Sequence, residues 1–284
     1  MLGFPNVGDS ATLTGGSWTS ALPLSNLQIR QLGKVARSTN ATLASTQFDV
    51  NFSTNPQNIN VINLTNHSIS VYGTYRIRIW SDVGMTNLKY DSGFQNVYPV
   101  VYPYGYLEWE NNGFWRGSYT TAQLVGYTSS LNHILDKNYL ATYMRIEIND
   151  TTNPAGYISI GRLFTAPTWQ PVVNAQFGSA SLGWESPTQV QAAISGAEYF
   201  QRRTPYRVAK FTFDILTVDE SFAQAFEMFR QAGLDGEVLF IQNPNDTIHA
   251  IRTRFLGRLR TLSPIEYPNY GMNKAAYDLK ELLP

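Results

Sequence analysis

Few side chains in this sequence could carry chemistry. The 284 residues include three histidines, His67, His133 and His249, and no cysteine. No two histidines stand at the short spacing by which one element presents a pair of metal ligands, and no HExxH pattern occurs. Without cysteine there is no thiolate metal site, disulfide or cysteine nucleophile. No serine sits in a GxSxG elbow. Gly15-Gly16-Ser17 and Gly233-Leu234-Asp235-Gly236 are short and lack the strand before and helix after that a phosphate loop needs. Glu108/Glu110 reads as an exposed strand edge, and Asp219/Glu220 as a helix N-terminus whose carboxylates complement the dipole. Asn66-His67-Ser68 reads as a turn histidine after a strand. A glycosidase pair separated in sequence would leave no local trace. The expectation is a protein that is not an enzyme, with no catalytic residues, no metal ligands and no cofactor.

Two other groups could contact a partner. Between residues 94 and 119 the aromatics Phe94, Tyr98, Tyr102, Tyr104, Tyr106, Trp109, Phe114, Trp115 and Tyr119 crowd among Pro99, Pro103, Gly105, Gly113 and Gly117. Long loops in compact domains tend to be functional, and aromatic faces stack on sugar rings or anchor protein interfaces. Tyr102, Tyr104, Trp109 and Trp115 are the candidate contacts with a glycan or an interface; the same rings could instead plug the end of a β-sandwich. The second group is basic: Arg202, Arg203, Arg207 and Lys210, then Arg252, Arg254, Arg258 and Arg260. Arg254, Arg258 and Arg260 fall on one side of an alternating strand. Such a face could meet a neighbouring subunit or line a channel for DNA, or be a solvated face balanced by Asp235, Glu237 and Asp246.

The elements that would position these groups are mostly strands. Phe48/Val50/Phe52, Ile59/Val61 with Ile62/Leu64, and Tyr75/Ile77/Ile79 alternate with polar residues at period two. Tyr143–Ile148 and Tyr157–Phe164 flank the turn-rich 149–156 and read as an antiparallel hairpin closing one domain. Pro167 and Pro171 then mark a hinge, giving domains 1–166 and 167–284. In the second, Ala209, Phe211, Phe213 and Ile215 share a strand face. Thr217-Val218-Asp219-Glu220 fits a capping box for a helix at about 218–232, with the stripe Phe222, Ala225, Phe226, Phe229, Ala232 and a stop at Gly233. On that reading Phe226→Asp would unfold the domain. Residues 237–242 read as a strand covered on both faces, and 277–282 as a last strand or a short helix.

Composition narrows the partners. Lys plus Arg (21) balances Asp plus Glu (21), which argues against nucleic acid or an anionic membrane as the main partner. The charged fraction is 15% beside 13% aromatic, where a soluble domain typically carries about 25% charge. That suits a surface covered in an assembly, or a β protein that is simply rich in aromatics. The N-terminus lacks the basic start and apolar run of a signal peptide, and no stretch approaches the ~20 apolar residues of a membrane span. A soluble intracellular product with no membrane insertion is expected.

Whole phrases of the chain resemble a family of tailed-bacteriophage tail-tip proteins (distal-tail or minor tail, baseplate). They are Gly15-Gly16-Ser17-Trp18 with Ala21–Leu27; Val35–Thr39 leading to Thr46–Val50; Ala155–Phe164; Ser181-Leu182-Gly183-Trp184-Glu185; Gly236–Phe240; and Phe255–Leu259. The first half also resembles the galactose-binding-like (discoidin-type) jelly-roll sandwich, through its Ile160-Gly161-Arg162-Leu163 phrase, and the second half a tube-like β domain with one helix. The resemblance implies a mainly β fold and a structural role. A homo-oligomeric ring, hexamer or trimer, would join the tail tube to the baseplate or fibre hub, with tail tube, tape-measure and hub proteins as partners. It would reside in the virion tail tip after assembly in the host cytoplasm. The alternative is a carbohydrate-binding module contacting a host surface glycan.

Overall fold

The computed structural model describes residues 1–284 apart from 104, 112, 176 and 177. The chain forms two units, Met1–Thr168 with Ile241–Phe255 and Pro284, and Trp169–Phe240 with Leu256–Leu283. Both are built mainly from antiparallel strands. The chain returns to the first unit over 241–255, a stretch the sequence places wholly beyond the hinge.

In the first unit, period-two alternation lays two sheets over one core. One runs in the order Thr12–Thr14, Phe48–Asn51, Tyr143–Asn149, Thr74–Trp80, Leu88–Asp91, with Gln95–Asn96 also on Thr74–Trp80. The other runs Ala36–Arg37, Ser159–Ala166, Gln57–His67, Ser130–Ala141. Their inward residues share a single cluster that includes Phe48, Val50, Ile62, Leu64, Ile77, Ile79, Ile146 and Leu163. This is the face-to-face packing of a β-sandwich.

The expected hairpin of Tyr143–Ile148 with Tyr157–Phe164 does not form. Tyr143–Asn149 pairs with Phe48–Asn51 and Thr74–Trp80, while Ser159–Ala166 pairs with Ala36–Arg37 and Gln57–His67, in the other sheet. The turn between them is a crossover, and its polar groups fix it. Asp150 accepts from the Ser70 amide at 2.7 Å and the Ser70 hydroxyl at 2.6 Å, and Asn153 Nδ2 donates to Asp150 at 2.8 Å. Ser159–Ala166 is buried at every position, so no solvent-facing row exists for the alternation to mark. Within it the Arg162 side chain is fully buried and donates to Asp9 at 2.7 Å and the Leu27 carbonyl at 3.2 Å, holding the N-terminal segment against the sheet. A Cβ on Gly161 would stand 2.5 Å from the Leu32 carbonyl, so glycine is required beside that arginine.

In the second unit, Tyr206–Leu216 pairs with Ser181–Glu185 on one side and Met272–Glu281 on the other. The C-terminal segment is therefore strand, not helix. Phe211, Phe213, Phe229, Phe240 and Tyr277 form the aromatic centre, with Phe211 stacked between Phe240 (5.4 Å) and Tyr277 (5.2 Å). Ile215 leaves the expected face. The register shifts between Phe213 and Leu216, turning Leu216 inward and Ile215 out.

The helix also differs from its expected stripe. Thr217 and Glu220 exchange capping hydrogen bonds (3.1 and 3.2 Å). The next turns, Glu220–Phe226, are π-helical before α-helix resumes at Glu227–Ala232. Ser221, Ala225, Met228, Phe229 and Ala232 are buried, whereas Phe222 and Phe226 are 43% and 50% exposed. The winding is anchored by Ser221, which donates to the Val218 carbonyl and accepts from buried Asn273.

Candidate functional site

Among its described residues, the aromatic segment of the first unit is tied into a closed loop by backbone hydrogen bonds. Val101 and Tyr102 both donate their amides to the Gly117 carbonyl at 2.7 Å. Asn111 opens a tight turn, accepting from the Gly113 amide at 3.0 Å through its side chain, and Gly117 donates to the Gly113 carbonyl at 2.8 Å. Gly117 has φ +58°, and a Cβ there would lie 2.5 Å from the Tyr102 carbonyl, so the closure depends on glycine. Gln123, at the start of the short helix Thr121–Leu124, accepts from the Thr120 amide (2.9 Å) and donates to the Tyr102 hydroxyl (3.1 Å).

This loop walls a cavity of about 730 Å³ with Tyr72, Glu110, Asn111, Arg116, Thr121 and Gln123 in its lining. Arg116 is held from behind by the Val71 carbonyl (2.8 Å), and its guanidinium lies 4.4 Å from the centre of the Tyr72 ring. The ring itself is 62% exposed. A flat aromatic face beside a guanidinium, a carboxylate and two amides offers stacking on an apolar sugar face and planar donors and acceptors for hydroxyl pairs.

The candidates from sequence fall out as follows. Trp109 and Trp115 are 75% and 87% exposed on the loop, and Trp115 also meets Phe114 edge-on at 5.1 Å. Tyr102 is half-buried, stacked on Tyr106 at 6.0 Å. It supports the wall through Gln123 and does not line the cavity. Tyr104 lies outside the described residues. Tyr72, Arg116 and Gln123 were not singled out from sequence. Gln123 could have been, as the Gln three places after Thr120 in a capping-box pattern. Tyr72 sits alone after a strand and gives no local signal.

Arg254, Arg258 and Arg260 do not make an open basic face. Arg254 is buried and donates to the carbonyls of Asn243, Pro244 and Asp246. Arg258 donates to the carbonyls of Leu234 and Leu259 at 3.2 Å. Arg260 pairs with Glu185 at 2.8 Å and Asp278 at 3.8 Å. Phe255, Leu256, Gly257 and Leu259 are all buried, so alternation along that strand does not separate a wet side from a dry one.

A second, smaller cavity of about 300 Å³ in the first unit contains His133 between two phenols. Tyr75 donates to Gln95 at 3.2 Å. That direction makes the Tyr75 oxygen accept from His133 Nδ1–H (2.9 Å), and leaves Nε2 to accept from Tyr90 (2.8 Å). Burial pulls His133 down to about 4, so the imidazole is neutral at ordinary pH. His67, expected as a turn residue, is instead buried at the end of Gln57–His67. Burial also pulls it to about 4 against the opposing charge of Asp150. Among the described residues no group of three His, Cys, Asp or Glu is placed to hold a metal. No helix there is long and apolar enough to cross a membrane.

No protein-family model matches the chain, and no curated protein sequence does. Solved structures similar to it include the family 32 carbohydrate-binding module of NanJ from Clostridium perfringens in complex with galactose. That module is 15% identical with a TM-score of 0.38, over 59% of this chain and 100% of that one. A family 32 module from a family 31 glycoside hydrolase of the same organism is 11% identical, TM-score 0.36, over 58% and 99%. A fucose-binding module of Streptococcus pneumoniae is 10% identical, TM-score 0.35, over 59% and 100%. At TM-scores this low the likeness adds nothing to the geometry above.

Proposed function

We propose that the first unit is a glycan-binding module, binding without chemistry, that holds a sugar ring against Tyr72 in the 730 Å³ cavity. The observation that carries this reading is the exposed Tyr72 ring clamped by Arg116 in the same cavity as Glu110, Asn111 and Gln123. A sugar needs both an aromatic platform and fixed polar groups at its edge. Trp109 and Trp115, exposed on the loop that builds the wall, offer stacking for further sugar residues. The test is a glycan array on the intact chain followed by calorimetry on the best ligand. Tyr72→Ala, at a position too exposed to threaten folding, should weaken binding at least tenfold, the order expected for losing a stacking platform. Trp184→Ser in the second unit should leave it unchanged. A blank array, or equal affinity in Tyr72→Ala, overturns the proposal.

A second reading, the ring-forming tail-tip component, is favoured by one feature of the second unit. Gln189–Ala192 and Glu198–Gln201 form a two-stranded sheet exposed at every position, carrying Val190, Tyr199 and Phe200. Isolated hairpins are marginal in water, and exposed apolar surface of this kind fits a protein contact. On this reading the chain assembles with copies of itself, as a hexamer or trimer. The tail tube, tape-measure and hub proteins would be its neighbours in a virion tail tip built in the host cytoplasm. The two readings concern different units, and one chain can serve both.

A further inference from the structure

We propose that the sugar taken at the Tyr72 site is N-acetylated, with its acetamido methyl seated in an apolar cavity that adjoins the polar one. This rests on the glycan reading above. The polar cavity shares Val71, Tyr72 and Thr121 with a second cavity of about 660 Å³, in which Ile69, Leu124 and Val125 stand beside Ser70, Thr152 and Asn153 and the exposed surface is mainly carbon. Tyr72 belongs to both walls, so a sugar held there meets the polar side chains of one cavity and the aliphatic side chains of the other.

A plain hexose is a poor match to that division. Every edge of it bears hydroxyls, and one turned toward Ile69, Leu124 and Val125 would lose its water against a mainly carbon surface. An acetamido group matches better. Its methyl gains from burial against Val71, Leu124 and Val125, while its amide lies at the boundary where Thr121 lines both cavities. The floor is firm: Ile69 is buried, and the Asp150–Ser70–Asn153 hydrogen bonds fix the loops on either side of it. The rim is open, with Val125 78% exposed at the end of the Thr121–Leu124 helix. The cavity is therefore ready for a substituent without rearrangement, and one rim residue can be changed without disturbing the core.

The experiment uses the full chain and matched neutral pairs that differ only in the substituent: N-acetylglucosamine against glucose, N-acetylgalactosamine against galactose, and triacetylchitotriose against cellotriose. Burying one methyl predicts a preference of roughly three- to tenfold for the acetylated member. Val125→Asn should reduce that preference toward one, read as the ratio of the two affinities within each pair. Equal binding of the members of each pair overturns the inference and leaves the glycan reading standing. Preference retained in Val125→Asn overturns the placement of the methyl. Binding of no sugar at all overturns both.

Discussion

At the scale of single residues, the two buried histidines make the first unit sensitive to acid. Both His67 and His133 have folded values near 4, depressed by burial, against about 6.5 in the unfolded chain. Between these values the unfolded state binds protons that the folded state refuses. Stability is therefore complete above pH 6.5, falls as pH drops from 6.5 toward 4, and changes no further from this source below 4. Each histidine contributes a slope of about 1.4 kcal/mol per pH unit in that window, or about 2 kcal/mol between pH 6.5 and 5. Denaturant unfolding at pH 7, 6 and 5 should show this loss. His67→Asn, whose side-chain oxygen can stand in for the Nδ1 that accepts from the Ile69 amide, should remove about half of it. An unchanged slope in that variant would show that His67 is not the titrating group.

The buried Arg207–Glu281 pair of the second unit belongs to the same scale. Both side chains are almost fully buried, and Glu281 accepts from the Arg207 backbone amide at 3.0 Å as well as from its guanidinium. Breaking such a pair leaves a buried charge alone, which costs about 3–5 kcal/mol. Glu281→Gln should lower the denaturation midpoint of the second unit accordingly. Replacing both residues with Met and Leu should recover most of the loss. If the single variant unfolds no more readily than the parent, the pair contributes nothing to stability.

At the scale of elements, the helix of the second unit gives the sharpest contrast between pattern and structure. Phe226→Asp, disruptive if the residue faced the core, should cost no more than about 1 kcal/mol because Phe226 is half exposed. Ala225→Asp, one residue earlier at a fully buried position, should cost several kcal/mol or prevent folding. Thermal unfolding of the two variants side by side decides the matter, and the reverse ranking would show that the π-helical winding is not present in solution. The cap, the stop at Gly233 and the extent of this helix were legible because each rests on local hydrogen bonds and one glycine. The inward face was not, because the Ser221–Asn273 contact that sets it joins residues 52 apart. The same reason separates the other successes and failures. Period two located the strands at 48–51, 57–67 and 74–80, but which strands pair is a long-range matter, and Tyr143–Asn149 chose partners other than its neighbour in sequence. At the candidate site the aromatic loop was visible as composition. Tyr72 became part of it only through Arg116, 44 positions further on, folding back over its ring.

At the scale of the whole molecule, low charge and a high aromatic fraction find a place in the described surface. Trp109 and Trp115 stand exposed in the first unit, and Trp184, Tyr199 and Phe200 in the second. Composition alone could not divide these between core and surface, since the same rings would serve either. The first set belongs to a loop that walls a cavity, the second to strands exposed along most of their length, so the two call for different kinds of contact. The second predicts self-association that does not depend on the first. Val190 and Phe200 face each other across the hairpin, so Val190→Lys with Phe200→Glu keeps an opposed cross-strand pair while removing the apolar patch. Light scattering of the intact chain should then report dissociation to a monomer that stays folded, because both side chains are exposed in the single chain. Affinity for sugar at Tyr72 should be untouched in that variant. A parent chain that is monomeric at every concentration tested, or a double variant that associates as the parent does, would remove the hairpin from the interface and with it the structural support for a ring.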